Sequence, residues 1–438
     1  MTVPILNGPE EMRERLVAGL RASGALHDDR VAAALGLVPR HVFLPESALE
    51  RAYADDAVPT KFDAEGHPIS SSSQPAIMAL MLEQLDVRPG HRVLEIGAGT
   101  GYNAACLACL TGPTGDVTTV DIDADLAASA RQHLAACGFG QGSAANVSAA
   151  NVSAANVSVV NGDGGLGWAA GAPYDRIIVT AGAWEITPAW IGQLSADGAL
   201  VAPLSLPGVL QYSVAFEHAG DHLASTSILA CGFMRLRGAF AGPEALIRLG
   251  DRTGLLVEAA QLADPEELTG LLSQPGEIVG TGVRVSVKEM HTGLGLWLGI
   301  HEPTGIGRVT ELPPAPGPAP SRPRSRQLDR ILLSGEHGCA TLERMDEPDG
   351  GTPGDVHMRF EAGARPFGTE GFQLAERLVG HVRDWDAAGQ PSPGDLRVSV
   401  YPEGGAPPAA AGAIVITKPH STLVLTWPDG SAVRADQE

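Results

Sequence analysis

The chain has 438 residues, of which 44% are hydrophobic and 18% charged, and a formal net charge of −21 at pH 7. That length exceeds one ordinary core, so two or more domains are expected, and an acidic surface with no basic face argues against nucleic acid as a partner. No apolar run approaches a membrane span and no basic segment leads into one at the amino terminus, so the expectation is a cytoplasmic protein with no membrane partner.

The first 44 residues predict two helices, at 10–23, where Met12, Leu16, Val17 and Leu20 share a face, and at 28–37. A proline-bounded apolar segment follows at 38–45, expected to pack over a sheet edge with His41 in a structural role. Residues 52–66 read as a loop that leads to Ile69, four serines (Ser70, Ser71, Ser72, Ser73), Gln74 and Pro75. Serine hydroxyls compete for backbone partners and the residue before proline avoids the helical region, so the serines are expected at the entry of the helix 76–85. There they would cap the helix and donate to a bound anion.

The stretch 92–123 organises the chain. An apolar strand (92–96) runs into a glycine turn (Gly97, Gly99, Gly101), a helix, a second strand (117–120) and Asp121. Glycines let the backbone turn off the strand and approach a ligand, and the acid can accept from two ribose hydroxyls. The third glycine of the dinucleotide fingerprint is missing, and Glu95 on the strand would repel a pyrophosphate. A sulfonium cofactor carries a positive charge and no phosphate, so S-adenosylmethionine fits better than a nicotinamide dinucleotide. Cys106 and Cys109, inside the helix after the turn, read as buried core thiols, and an odd total of five cysteines implies no disulfide framework.

After a helix at 125–136, Ala-Ala-Asn-Val-Ser occurs three times in tandem (144–158), which reads as an expanded surface loop feeding a strand at 157–160. Gly162, Asp163 and Gly164 make a tight turn after that strand, with Asp163 placed to accept from an adenine amino group. The strand 174–180 ends at Thr180, on the carboxyl edge where open α/β sheets bind ligands. Ile122, beside Asp121, completes the expected cofactor set. Strands and helices alternate this far, as in a mostly parallel sheet. From residue 210 the pattern changes to short strands at 212–216, 227–234, 283–288, 294–300, 396–401, 413–417 and 423–427. Between them lie a proline- and arginine-rich segment at 312–327, expected to be disordered, and a helix at 372–385 whose stripe is Leu374, Leu378, Val382 and Trp385. This predicts an α/β domain with a site for S-adenosylmethionine over 1–235 and a smaller α+β domain over 236–438. No metal set is expected.

With these segments assembled, the first half resembles the protein-L-isoaspartate O-methyltransferase family. The resemblance rests on 38–45, 69–75, the run Val93-Leu94-Glu95-Ile96-Gly97-Ala98-Gly99-Thr100-Gly101-Tyr102, the Gly162-Asp163-Gly164 turn and segments between 188 and 204. It implies a Rossmann-like seven-stranded sheet, S-adenosylmethionine as cofactor and methyl transfer to a peptide carboxylate. Ser73 and Ser70 would grip the reacting group, and Ser71, Ser72 and Gln74 the substrate. The family's Thr-Ile-Ser-x-Pro loop is replaced here by Ile69 and four serines, and about 200 residues follow residue 235. The long form is similar to methyltransferases encoded with ribosomal peptide maturation systems, of the FxLD lanthipeptide and ATP-grasp-linked kinds. That likeness implies a modified ribosomal peptide as partner, with aspartate esterified on the way to aspartimide. A protein-repair enzyme acting on isoaspartate is the alternative.

Overall fold

The computed structural model describes residues 8–64, 66–139, 146–147, 152–153, 156–208, 210–249, 253–258, 264–302, 305–311, 330–345, 358–405, 407 and 412–427. Its backbone is a ten-stranded sheet. From one edge to the other the strands are Ile414–Thr417, Ser421–Thr426, Arg397–Pro402, His222–Cys231, Leu210–Ala219, Leu194–Leu206, Tyr174–Val179, Arg92–Ile96, Asp116–Asp121 and Asn156–Asn161. The last five pair parallel, and the remainder antiparallel. The seven strands between His222–Cys231 and Asn156–Asn161 are the α/β sheet anticipated from the sequence.

Both faces of this sheet are buried, which is why its central strands are continuously apolar. Ile178 enters a core with Leu20, Leu35, Leu82 and Leu107 from the amino-terminal helices. Its neighbours Ile177 and Val179 enter the opposite core with Trp190, Tyr212 and Leu423. Cys106 is fully buried in the first core and Cys109 packs against it. Burial pushes the Cys106 thiol well up and that of Cys109 to about 12, as befits inert core residues.

A second, seven-stranded antiparallel sheet runs in the order Glu244–Arg248, Thr253–Glu258, Ile306–Glu311, Arg330–Ser334, Gly338–Arg344, Arg359–Gly368 and Val279–Ser286. The helix Gly371–Ala387 packs Leu374, Leu378, Val382 and Trp385 against Phe360 and Trp297, on the stripe that the spacing predicts.

Three expectations are corrected. The division at residue 235 does not separate two sheets, because Arg397–Pro402 pairs with His222–Cys231 through Leu223 with Val400 and Ala224 with Ser399. Residues 397–426 thus return to the first sheet, and the second sheet is built from an excursion between them. Residues 294–300 form no strand: Met290–Leu294 is a π-helical turn that runs into the helix Gly295–His301. Leu296 and Ile300 enter one core while Trp297 and Leu298 enter another, so burial all round erases the helical period. Gly299 lets this helix press on Pro207, whose carbonyl oxygen would lie 2.2 Å from an added Cβ. The loop expected at 52–66 contains the strand Val58–Phe62, paired antiparallel with Pro68–Ser72.

Of the tandem repeat, Asn146–Val147 and Val152–Ser153 form a short antiparallel pair and the third copy opens the strand Asn156–Asn161. Its other residues, and the segment 312–327, lie outside the described residues. Among the described residues no helix is long and apolar enough to cross a membrane, and no cluster of His, Cys, Asp and Glu is arranged to hold a metal ion.

Candidate active site

The strand Arg92–Ile96 ends at the carboxyl edge of the sheet, and Gly97, Gly99 and Gly101 turn the chain there with φ of 102°, 51° and 89°. A Cβ on Gly97 would stand 2.5 Å from Thr180 Oγ1. That hydroxyl donates to the carbonyls of Ile96 (3.0 Å) and Gly97 (2.8 Å), tying the glycine turn to the neighbouring strand end. The turn leads into the helix Tyr102–Thr111.

Asp121 sits at the tip of the next strand. Its Oδ2 accepts from Gly99 N at 2.9 Å and its Oδ1 from Asp123 N at 3.0 Å. Two backbone amides therefore hold the carboxylate against the glycine turn with lone pairs left for a ligand. Burial raises its pKa. Glu95 is fully buried beneath, where Asn103 Nδ2 donates to Oε1 at 2.8 Å while, among the described residues, Oε2 accepts no hydrogen bond. Burial drives its pKa up to about 7. A cationic ligand in the cleft would relieve that penalty, as would the sulfonium and ammonium groups of S-adenosylmethionine.

The opposite wall is the serine strand Pro68–Ser72 with Ser73 and Gln74. Ser70, Ser71 and Ser72 are strand residues, Ser73 follows the strand, and none of them is the helix cap, which corrects the sequence expectation. The helix Pro75–Leu85 starts after Gln74, which offers no side-chain cap. Asp55 reaches over instead, accepting from Ala76 N at 2.8 Å and Gln74 Nε2 at 3.1 Å. The Ser71 carbonyl overhangs the glycine turn, 3.7 Å from where a Cβ of Gly99 would be.

Arg40 fixes this wall from below, a role its place in a proline-bounded apolar segment did not reveal. It is completely buried. Its guanidinium donates to the carbonyls of Ala52 (2.8 Å), Ala54 (3.3 Å), Asp56 (3.3 Å) and Ser73 (2.9 Å) and to Ser72 Oγ (3.3 Å). Asp123 is a second anchor missed from sequence. It pairs with Lys61 of the serine hairpin at 3.2 Å and with Arg237 at 2.5 Å, which pulls its carboxyl below the usual range. Lys61 also meets Asp125 at 2.8 Å.

The two walls enclose a cleft of about 1140 Å³. Ser70, Ser71, Ser72, Ser73 and Gln74 line it on one side. Glu95, Gly97, Gly99, Asp121, Ile122, Gly164 and Thr180 line it on the other. Gly101 is turned toward the helix Ala124–Ala136, with Ala130 O 3.2 Å from an added Cβ, and it shapes the turn without facing the cleft. Gly162 donates its amide to Asp121 O at 2.9 Å and also stands behind the cleft. The expected role of Asp163 changes most. Its Oδ1 accepts from Gly165 N at 2.9 Å and its Oδ2 from Ala239 N at 2.7 Å, so its carboxylate pins the chain at 238–240. Sequence reasoning also missed that the second sheet contributes to the cleft, through Glu244, Leu246, Arg248, Leu256 and Arg308.

The glycine turn, closed by Thr180, and Asp121 face the serine wall across one cleft. Comparison with known proteins shows the family. The family model for protein-L-isoaspartate(D-aspartate) O-methyltransferase matches residues 11–239. The chain is 42% identical over 192 residues to a protein-L-isoaspartate O-methyltransferase of Methanopyrus kandleri, a match covering 44% of this chain and 76% of that protein. It is 38% identical over 240 residues to one from Methanoregula boonei, covering 55% of this chain and 98% of that one. A solved protein-L-isoaspartate O-methyltransferase is 23% identical and aligns with 88% of this chain and 96% of its own, with a TM-score of 0.48. The chain belongs to the protein-L-isoaspartate(D-aspartate) O-methyltransferase family.

Proposed function

We propose that this enzyme methyl-esterifies the free α-carboxylate of an L-isoaspartyl residue, whose side-chain carboxyl carries the peptide bond, in a linear polypeptide, with S-adenosylmethionine as the methyl donor. The observation that carries this reading is Asp121, held by two backbone amides across the cleft from four successive serines. The curated relatives favour isoaspartate over the tailoring of a ribosomal peptide, the reading the sequence put first.

When bound, the cofactor supplies an electrophilic methyl group on a cationic sulfur. Asp121 would hold its ribose hydroxyls, the turn Gly97–Gly99 would admit its backbone-hugging portion, and Glu95 would balance its charge. The acceptor carboxylate ordinarily titrates at about 4 and is ionised at neutral pH, so no residue need act as base. What the protein contributes is position. Ser70 and Ser73 are the hydroxyls proposed to grip the carboxylate, oriented by a strand that Arg40 holds rigid, and the cleft walls keep water from competing. The ester carries methoxide as its leaving group where a carboxylate would have to expel oxide, so the following backbone nitrogen attacks the ester carbonyl, gives up its proton and expels methanol, closing a succinimide outside the enzyme.

Mass spectrometry of a linear isoaspartyl peptide incubated with enzyme and cofactor tests the proposal. Gain of one methyl group at that residue, with the matching aspartyl peptide unchanged, is the expected result. Methylation only of a ring-constrained peptide bearing ordinary aspartate would overturn it in favour of peptide tailoring, a reading supported by the second sheet's contribution to the cleft.

A further inference from the structure

The second sheet ends beside the catalytic cleft in an unpaired edge, and that edge matches the conformation of an extended peptide. Among the described residues Glu244–Arg248 is the terminal strand of its sheet and pairs on one side only, with Thr253–Glu258. Leu249 N donates to Thr253 O at 2.8 Å. In an antiparallel ladder the residues that exchange hydrogen bonds alternate, so 245, 247 and 249 direct their amides toward the neighbouring strand and 244, 246 and 248 direct theirs away. The outward carbonyl of Glu244 accepts from the Arg235 guanidinium. Leu246 has its N–H and C=O on the outward side, and among the described residues neither has a partner there.

The side chains of the same strand also face the site. Glu244, Leu246 and Arg248 line the cleft that contains Gly97, Thr180 and the serine strand, and Leu246 is 45% exposed. Arg235 both pairs with Glu244 at 3.3 Å and belongs to the segment bridged to Gly182 at the sheet's carboxyl edge. The edge is thereby fixed relative to the cofactor turn. Exposed sheet edges are ordinarily blunted by charge or cover, and here charges flank a bare apolar centre that opens on a cleft.

We infer that the edge strand Glu244–Arg248 binds the polypeptide substrate by strand addition, pairing with an extended segment that flanks the modified residue through two hydrogen bonds at Leu246. The occupant follows from continuity with the cleft: the reacting carboxylate belongs to a polypeptide, and its chain must leave along one of the cleft's walls. The inference rests on the proposed function. It assigns to the second sheet main-chain recognition, which favours extended, unfolded segments over any particular sequence.

The test is an N-methyl scan with the wild-type enzyme. Each backbone amide of a linear isoaspartyl peptide is N-methylated in turn, and KM and kcat are measured. Strand addition predicts that KM rises about fivefold or more at alternate positions on one flank, with little change between them. Leu246→Pro removes the outward N–H without touching the ladder to Thr253–Glu258 and should reproduce the rise in KM, with cofactor affinity by calorimetry unchanged. Leu246→Ala, which keeps the amide, should have a smaller effect. A scan with no alternation, while the parent peptide is turned over, overturns the strand addition and leaves the proposed function standing. Absence of methylation of the parent peptide overturns the function, and the inference with it.

Discussion

Replacing Arg40 with methionine tests whether a buried cation sets the geometry of the substrate wall. Methionine keeps an apolar stem beside the Tyr102 ring, 5.8 Å from the guanidinium carbon, but removes five donated hydrogen bonds. The two shortest, to Ala52 O at 2.8 Å and Ser73 O at 2.9 Å, should dominate. Hydrogen bonds from a charged donor contribute roughly 1.5–3 kcal/mol each, and buried carbonyls left without partners add to the loss. Against this stands relief from burying a guanidinium whose direct partners are all neutral; burial depresses its pKa, and desolvating an ion costs several kcal/mol. The balance is a destabilisation on the order of 3 kcal/mol, lowering Tm by roughly 3 °C for a chain of this length. Because three acceptors lie in 52–56 and two in the serine wall, KM for an isoaspartyl peptide should rise by about tenfold, as expected for a misplacement worth about 1.4 kcal/mol. Thermal unfolding and initial rates at saturating cofactor measure both. Arg40→Lys, which cannot span acceptors on both sides, should fall between. An Arg40→Met protein with unchanged Tm and unchanged KM would refute the assignment of Arg40 as the support of the wall.

Further outcomes follow from the same geometry. Asp121→Asn turns an amide toward one of the two backbone N–H groups that hold the carboxylate, so cofactor affinity by calorimetry should fall by roughly a hundredfold, or about 3 kcal/mol; unchanged affinity would remove the residue from the site. Glu95 binds its proton more tightly in the folded protein, with a pKa of about 7 against an ordinary value of 4.5. The stability this gives is present in full below about pH 4.5 and is lost as pH rises to about 7, on the order of 3 kcal/mol over that window. Denaturant titrations of Glu95→Gln should show that slope abolished, and a slope equal to wild type would be inconsistent with a strained buried carboxyl. Asp123→Asn frees Arg237 and leaves Lys61 with Asp125 alone, and should weaken cofactor binding about threefold to tenfold, with a smaller dependence on salt than the wild type shows.

What could be read in advance was the part whose signal is local. The run Val93 to Gly101 states strand, turn and helix within a few residues, and the helix Gly371–Ala387 announces its buried stripe. The strand Val58–Phe62 was hidden because Pro59 and Lys61 interrupt it and only Val58 is buried, leaving no apolar alternation to detect. The helix Gly295–His301 was hidden for the opposite reason, since apolar residues on every side carry no period. The strands at 397–426 were recognisable as strands, but nothing in Val-Ser-Val-Tyr says which sheet it joins; that is decided by Leu223 and Ala224, some 175 residues earlier. Asp163 is a matter of competition. A free carboxylate near adenine is a sound reading of the turn alone, but the backbone of Ala239 claims it.

The return of residues 397–426 to the first sheet has a mechanical consequence. A domain hung on a single linker can swivel about any axis, whereas one joined by both its entry near residue 232 and its exit near 396 is confined to motion about the line between those two points. The bridge from Arg235 to Gly182 and the burial of Leu296 and Ile300 in the first sheet's core oppose even that motion, so the cleft wall carrying Leu246 keeps one register against the cofactor turn. A protein ended after residue 235 would lose that restraint and would also bare the outer side of His222–Cys231, a strand whose hydrogen-bonding edge would then be free to recruit another copy.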